Sequence, residues 1–126
     1  MEKDIIRIPE IVLEWSSWNL WENLKTDGQT GVDTRIPEEP GVYEVRLNGS
    51  SERLTIGKTN NLQRRVKQGL VKGQIPHSTG EKIRENENIA EIYVRWAVTD
   101  RPSAAEEELH RQYKARFGQL PKYTVH

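Results

Sequence analysis

The chain has 126 residues, 34% hydrophobic and 30% charged, with no cysteine and with 19 bases balancing 19 acids. That length fits a single domain able to bury about two-thirds of its unfolded surface, and the missing cysteines exclude a disulfide framework, a thiolate metal site and a thiol nucleophile. No apolar run is long enough for a bilayer, and MEKDIIRIPE lacks the basic-then-apolar order of a signal peptide, so the expectation is no membrane and a cytoplasmic location.

Zero net charge conceals an uneven distribution. Residues 1–52 carry eleven acids and five bases, residues 53–80 six bases and no acid, and residues 81–126 eight of each. A charge block is ordinarily a solvated face. A positive potential confined to one segment also attracts phosphate where the whole molecule would not.

In chain order, residues 1–40 read as a Trp-rich extension packing on the domain. IVLEWSSWNLWENLKTDG offers Ser16 or Ser17 as an N-cap, then Trp18, Trp21 and Leu24 at near-helical spacing, ending at Gly28. The spacing predicts a helix with its apolar side on the main body, a ligand- or base-stacking surface being the alternative. TDGQTGVDTRIPEEPG reads as loop.

From Gly41 the period becomes two. GVYEVRL alternates Val42, Glu44 and Arg46 with Tyr43, Val45 and Leu47, NGSS signals a turn, and ERLTIG returns. With Asn48–Ser50 as the loop, Tyr43 faces Thr55 across this hairpin. Thr59 or Asn60 then caps a helix over LQRRVKQGL, with Leu62, Val66 and Leu70 on one stripe. At about 100° per residue Arg64 points away from that stripe, while Arg65 lies at its border, between helix and sheet.

GQIPHSTG reads as loop and EKIREN as a short helix. Ile89–Thr99 is a strand with Ile92, Val94, Trp96 and Val98 on one side. Asp100 or Ser103 caps the last helix, which has Pro102 in its first turn and Gly118 after its end. The order predicts an α+β fold, a small and mostly antiparallel three-stranded sheet flanked by helices, over residues 41–126.

On the last helix Glu106 projects into the stripe of Ala105, Leu109, Tyr113 and Phe117, whereas Glu107 and Glu108 point outward. A carboxylate against a core demands a partner or a metal. A salt bridge to Arg65 or Arg95 would serve. His110, one turn later, could join Glu106 on a metal, although packing is the ordinary role for such a residue. A phenol, a guanidinium and a carboxylate brought together are also the parts that phosphodiester hydrolysis needs: a base for water, a metal to offset phosphate charge, and a cation for the pentacovalent state.

These residues resemble the GIY-YIG nuclease family. Its first motif stands here as Gly41-Val42-Tyr43 and its second as Thr55-Ile56-Gly57, followed by Lys-Thr-Asn-Asn-Leu-x-Arg-Arg. The resemblance covers residues 41–124 and makes Arg65 the catalytic arginine and Glu106 the metal ligand, with Leu109 and Tyr113 after it. His77 matches a histidine that some members carry in the loop beyond the arginine helix.

The resemblance implies a metal-dependent endonuclease using one Mg²⁺ or Mn²⁺ on Glu106, with nucleic acid as substrate, DNA being the favoured case and RNA left open. Tyr43 would orient or deprotonate water, Arg65 would hold the scissile phosphate, and His77 would assist the leaving group. Lys58, Arg64, Lys67 and Lys72 would bind flanking phosphates. A homodimer or a partner protein would supply specificity. Three positions depart from the family: Thr55 replaces the tyrosine of the second motif, Gly69 a histidine, and Thr124 an asparagine. They leave open a weak enzyme or a non-catalytic nucleic-acid-binding module. A protein-interaction domain built on the tryptophans is a third reading.

Overall fold

The alternation in GVYEVRL folds as β2 (Gly41–Leu47), sending Tyr43 and Val45 into one apolar cluster and Val42 into another across the sheet. The computed structural model describes residues 4–5, 10–25 and 36–124. Strand β3 (Thr55–Thr59) and strand β4 (Ile92–Val98) both pair antiparallel with β2. A fourth strand, β1 (Asn19–Leu20), lies on the far edge of β4, giving the order β1-β4-β2-β3. The sheet is therefore four-stranded and not three-stranded, and the added strand comes from the N-terminal extension.

The helix expected from Ser16 does not form. Ser16 N–H donates to the Trp96 carbonyl at 2.8 Å, and Trp96 N–H donates to Ser16 Oγ at 3.0 Å. Asn19 and Leu20 then continue the pairing opposite Val94 and Tyr93. Helix is confined to one turn, α1 (Trp21–Leu24), which buries Trp21 and Leu24. An open strand edge satisfies the backbone of this segment better than a short isolated helix could. The predicted helix end at Gly28 and most of the predicted loop after it lie outside the described residues.

The tryptophans also pack differently from expectation. Trp15 and Trp18 sandwich Arg95, with its guanidinium 4.1 and 4.6 Å from the two rings. Trp18 additionally meets Arg46 at 4.2 Å and Arg53 at 4.9 Å. Glu44 Oε1 accepts from Arg53 Nε at 3.0 Å and from Arg95 Nε at 2.8 Å. The extension is held by cation–π stacking around one buried carboxylate.

The hairpin register is shifted by two residues. Tyr43 faces Gly57, and Val45 faces Thr55, because residues 48–54 form a longer connection than the predicted loop. The shift keeps Tyr43 on the expected face. It also explains the glycine: a Cβ on Gly57 would sit 2.4 Å from Tyr43 Cζ and Oη.

The basic segment forms a π-helix (Gln63–Val71) and not a regular α-helix. Its capping side chain is Asn61, whose Oδ1 accepts from Arg64 N–H at 3.1 Å, in place of Thr59 or Asn60. Leu62, Val66 and Leu70 are fully buried, as their spacing predicts. Helix α2 (Ser78–Asn86) begins earlier than EKIREN, because His77 Nδ1 caps it by accepting from Gly80 N–H at 2.9 Å. A 3₁₀ turn, Ile89–Glu91, precedes β4. Helix α3 (Pro102–Phe117) has Pro102 at its start and Gly118 in the left-handed conformation at its end. Neither Asp100 nor Ser103 caps it; the residue before its first turn is Arg101, which forms no side-chain cap.

The π-helix and α2 cover one face of the sheet, where Leu62, Val66, Leu70 and Ile83 meet Tyr43, Val45, Val94 and Trp96. Trp21, Leu24 and Ile36 complete that core. Helix α3 covers the other face through Ala105, against Val42 and Ala97. Among the described residues, no helix is long and apolar enough to cross a membrane.

Candidate active site

Three elements deliver one side chain each to a common cavity. Tyr43 stands on β2, Arg65 on the π-helix and Glu106 on α3, and all three line a cavity of about 270 Å³. Strand β3 adds Thr55, Ile56, Gly57 and the exposed Lys58 to the lining. The residues come from positions far apart in sequence, and β2–β3 pairing plus helix packing on both faces brings them together.

Tyr43 is buried, and its environment is specific. Its Oη lies 3.2 Å from His77 Nε2. His77 Nδ1 already accepts from Gly80 N–H, so the neutral ring carries its proton on Nε2 and donates it to Tyr43. Burial lowers the His77 pKa to about 4, with the Arg65 and Arg84 charges adding to the effect, so the ring is neutral at physiological pH. Burial pushes the Tyr43 pKa up; Arg65 opposes this and Glu106 reinforces it. Tyr43 is thus a phenol at neutral pH. Its oxygen accepts from His77, which leaves its own proton to donate elsewhere.

His77 does not reach the cavity. Its ring is 5% exposed and both nitrogens are engaged, which corrects the expected leaving-group role. The imidazole packs over Gly69, where a Cβ would meet His77 Cδ2 at 3.2 Å. The space left by glycine on the π-helix is thus filled by a ring from the next loop.

Glu106 is half-buried, and among the described residues no salt bridge neutralises it. Arg95, one expected partner, is committed to Glu44 on the sheet. His110 Nε2 lies 3.0 Å from the Ile56 carbonyl and must donate to it. The lining also carries three hydroxyls, Thr55, Thr79 and Thr124. Thr55 Oγ1 and Thr124 Oγ1 are 3.2 Å apart, so two of the positions that depart from the family pattern touch each other.

Among the described residues, no group of three or more His, Cys, Asp or Glu side chains is placed to hold a metal ion. A cation here would meet one protein carboxylate and keep water or phosphate oxygens around the rest of its shell. Hard ions such as Mg²⁺ and Mn²⁺ accept that donor set, whereas a structural zinc site requires more protein ligands.

Of the cations predicted to bind flanking phosphates, Lys58 lies at the cavity and donates to Ser103 Oγ at 2.9 Å. Arg64, Lys67 and Lys72 stand on or just beyond the π-helix outside the cavity lining, Arg64 exposed and the two lysines half-buried with partners of their own. Thr79 was missed by the sequence reading. Its only signal is its place two residues after His77 in PHSTG.

No protein-family model and no curated protein matches the chain. Among solved structures, the chain is similar to the GIY-YIG N-terminal endonuclease domain of UvrC from Thermotoga maritima bound to magnesium. That likeness has 28% identity, covers 71% of this chain and 86% of that one, and has a TM-score of 0.47. A point mutant of the same domain, bound to its catalytic divalent cation, gives 27% identity, the same coverage and a TM-score of 0.46.

Proposed function

We propose that the chain is a metal-dependent endonuclease of GIY-YIG type, hydrolysing phosphodiester bonds of nucleic acid, DNA in preference to RNA. The observation that supports this reading is the convergence of Tyr43, Arg65 and an un-neutralised Glu106 on one cavity. In this reading residues 41–124 form the catalytic module, and residues 15–24 pack on it.

Glu106 would hold one Mg²⁺ or Mn²⁺, which when bound offsets phosphate charge and lowers the pKa of water. Arg65 holds the scissile phosphate and matches the charge that grows on its oxygens. Tyr43, a phenol at neutral pH, orients the attacking water through its hydroxyl, and the proton of that water leaves to solvent as its oxygen attacks. The water oxygen bonds to phosphorus, the bond to the departing sugar oxygen breaks, and that oxygen takes up a proton. His77 acts through Tyr43 and is a positioning residue. Lys58 binds an adjacent phosphate, and Arg64, Lys67 and Lys72 extend the positive surface along the π-helix. One module with one metal cuts one strand, so a double-strand cut requires a second copy or a partner protein.

The Thr55–Thr124 contact favours a second reading, in which the same cavity binds nucleic acid without cutting it. Threonine lacks both the reach and the acidity of the phenol it replaces. Supercoiled, branched and single-stranded substrates incubated with Mn²⁺ separate the two readings. The nuclease reading expects nicking by wild type and none by Glu106→Gln or Arg65→Ala. Binding with a steep salt slope but no nicking by any form selects the second reading.

A further inference from the structure

We propose that His110 is a positioning residue for Glu106: its bond to the β3 edge sets where the carboxylate meets the cation. The inference rests on the reading of Glu106 as cation ligand, and it concerns a residue to which the sequence resemblance assigns no role.

Three observations carry it. First, α3 has little apolar anchoring. Of its sixteen residues only Ala105 and His110 are buried, and the half-buried Leu109 packs beside Ala105 on the cluster of Val42 and Ala97. These few apolar contacts hold α3 against the sheet but are non-directional, so its position along its own axis depends on directional contacts. Three side-chain contacts join it to β3 or to the residues just before β3: Ser103 with Lys58, His110 with Ile56, and Tyr113 with the Arg53 amide. The first is exposed and the last part-buried. The His110 contact is the buried one, and water competes with it least.

Second, the target of that bond belongs to the site. Ile56 lies between Thr55 and Gly57, and all three line the cavity. Strand β3 is the edge of the sheet among the described residues, and none of their strands pairs with Ile56 on its outer side. Its carbonyl accepts from His110 at 3.0 Å, and its N–H donates to Thr124 Oγ1 at 3.4 Å. A buried carbonyl at this edge requires a donor, and His110 is that donor.

Third, His110 follows Glu106 by one helical turn, and both side chains line the same cavity. A residue fixed to β3 at that spacing fixes its neighbour four positions earlier. Sliding α3 by one residue would move Glu106 by about 1.5 Å, and an error of about 1 Å in a catalytic group costs up to about 100-fold. The i, i+4 pairing that first suggests a shared metal is thus better read as a ligand and its anchor, because the His110 Nε2 proton is committed to the carbonyl.

The test is direct Mn²⁺ binding to the full chain, followed by the relaxation of water protons, with thermal melting alongside. Glu106→Gln comes first, and it must weaken Mn²⁺ binding if the cation reading is right. Failure there overturns the functional reading itself. With that control in place, His110→Asn, whose amide is too short to reach Ile56, is expected to weaken Mn²⁺ binding by about tenfold or more. His110→Gln, which can donate from near the Nε2 position, is expected to stay within about threefold of wild type. A purely structural histidine would lower the melting temperature of the Asn variant and leave Mn²⁺ affinity unchanged. That outcome overturns the proposal. So does a folded Gln variant that binds Mn²⁺ as poorly as Glu106→Gln.

Discussion

Two regions of this molecule are made of nearly the same parts and differ in outcome. On one, Glu44 gathers Arg53 and Arg95, with Trp15 and Trp18 stacked on the guanidinium groups. At the other, Glu106, Arg65 and Tyr43 face a cavity with no ion pair between the two charges. The first closes its charges against each other and against indole rings, leaving nothing to offer a ligand. The second holds its charges apart on three rigid elements. Carboxylate, guanidinium and aromatic ring together do not make a site; an unspent charge facing accessible space does.

That contrast breaks most sharply under substitution of the charges themselves. Glu106→Gln is expected to bring Mn²⁺-dependent nicking to background, and Arg65→Ala to cost roughly 10²–10³-fold in rate. Both should melt no lower than wild type, since active-site charges seldom contribute to stability. Glu44→Gln should do the reverse. It strands two half-buried arginines and is expected to destabilise the fold by about 3 kcal/mol in chemical denaturation, while the rate below its melting temperature stays near wild type. If Glu44→Gln and Glu106→Gln lose stability equally, the distinction between the regions fails.

Smaller effects sharpen it. Trp18→Ala removes the ring that meets Arg46, Arg53 and Arg95, and a loss of about 2 kcal/mol is expected without a change in cutting. His77→Asn keeps an N-cap for α2 but cannot reach Tyr43. Its stability cost should be under about 1 kcal/mol, with kcat reduced by about tenfold and KM little changed, because only the positioning of Tyr43 is lost.

His77 also predicts a pH signature. Its folded pKa of about 4 lies below the ordinary 6.5, so the unfolded chain binds the proton first. This contribution to stability is fully present above pH 6.5 and is lost as pH falls toward 4. The His77→Asn variant should show a flatter melting profile across that interval.

Much of this was legible from local pattern. The alternation of GVYEVRL and of IYVRWAV, the 4-residue spacing of Leu62, Val66 and Leu70, and Pro102 with Gly118 marked the strands and helices that formed. Glu106 stood out because a carboxylate on an apolar helix face violates that pattern. The misreadings share a cause. Trp18, Trp21 and Leu24 after a Ser16 or Ser17 cap carry helical spacing, and nothing local announces that β4 leaves an edge for Asn19 and Leu20. For His77 the resemblance implies a leaving-group role, and PHSTG itself gives no sign of the glycine gap the ring fills.

The sequence by itself determined the periodicities, the placement of the positive charge and the choice of Tyr43, Arg65 and Glu106 as site candidates, because these depend on residue type and near neighbours. Only the tertiary structure decided which arginine is spent on a carboxylate and which is left facing space. It also decided which tautomer His77 carries and what holds α3 in register. Those outcomes depend on distances between segments dozens of residues apart, and packing fixes such distances while local preference does not.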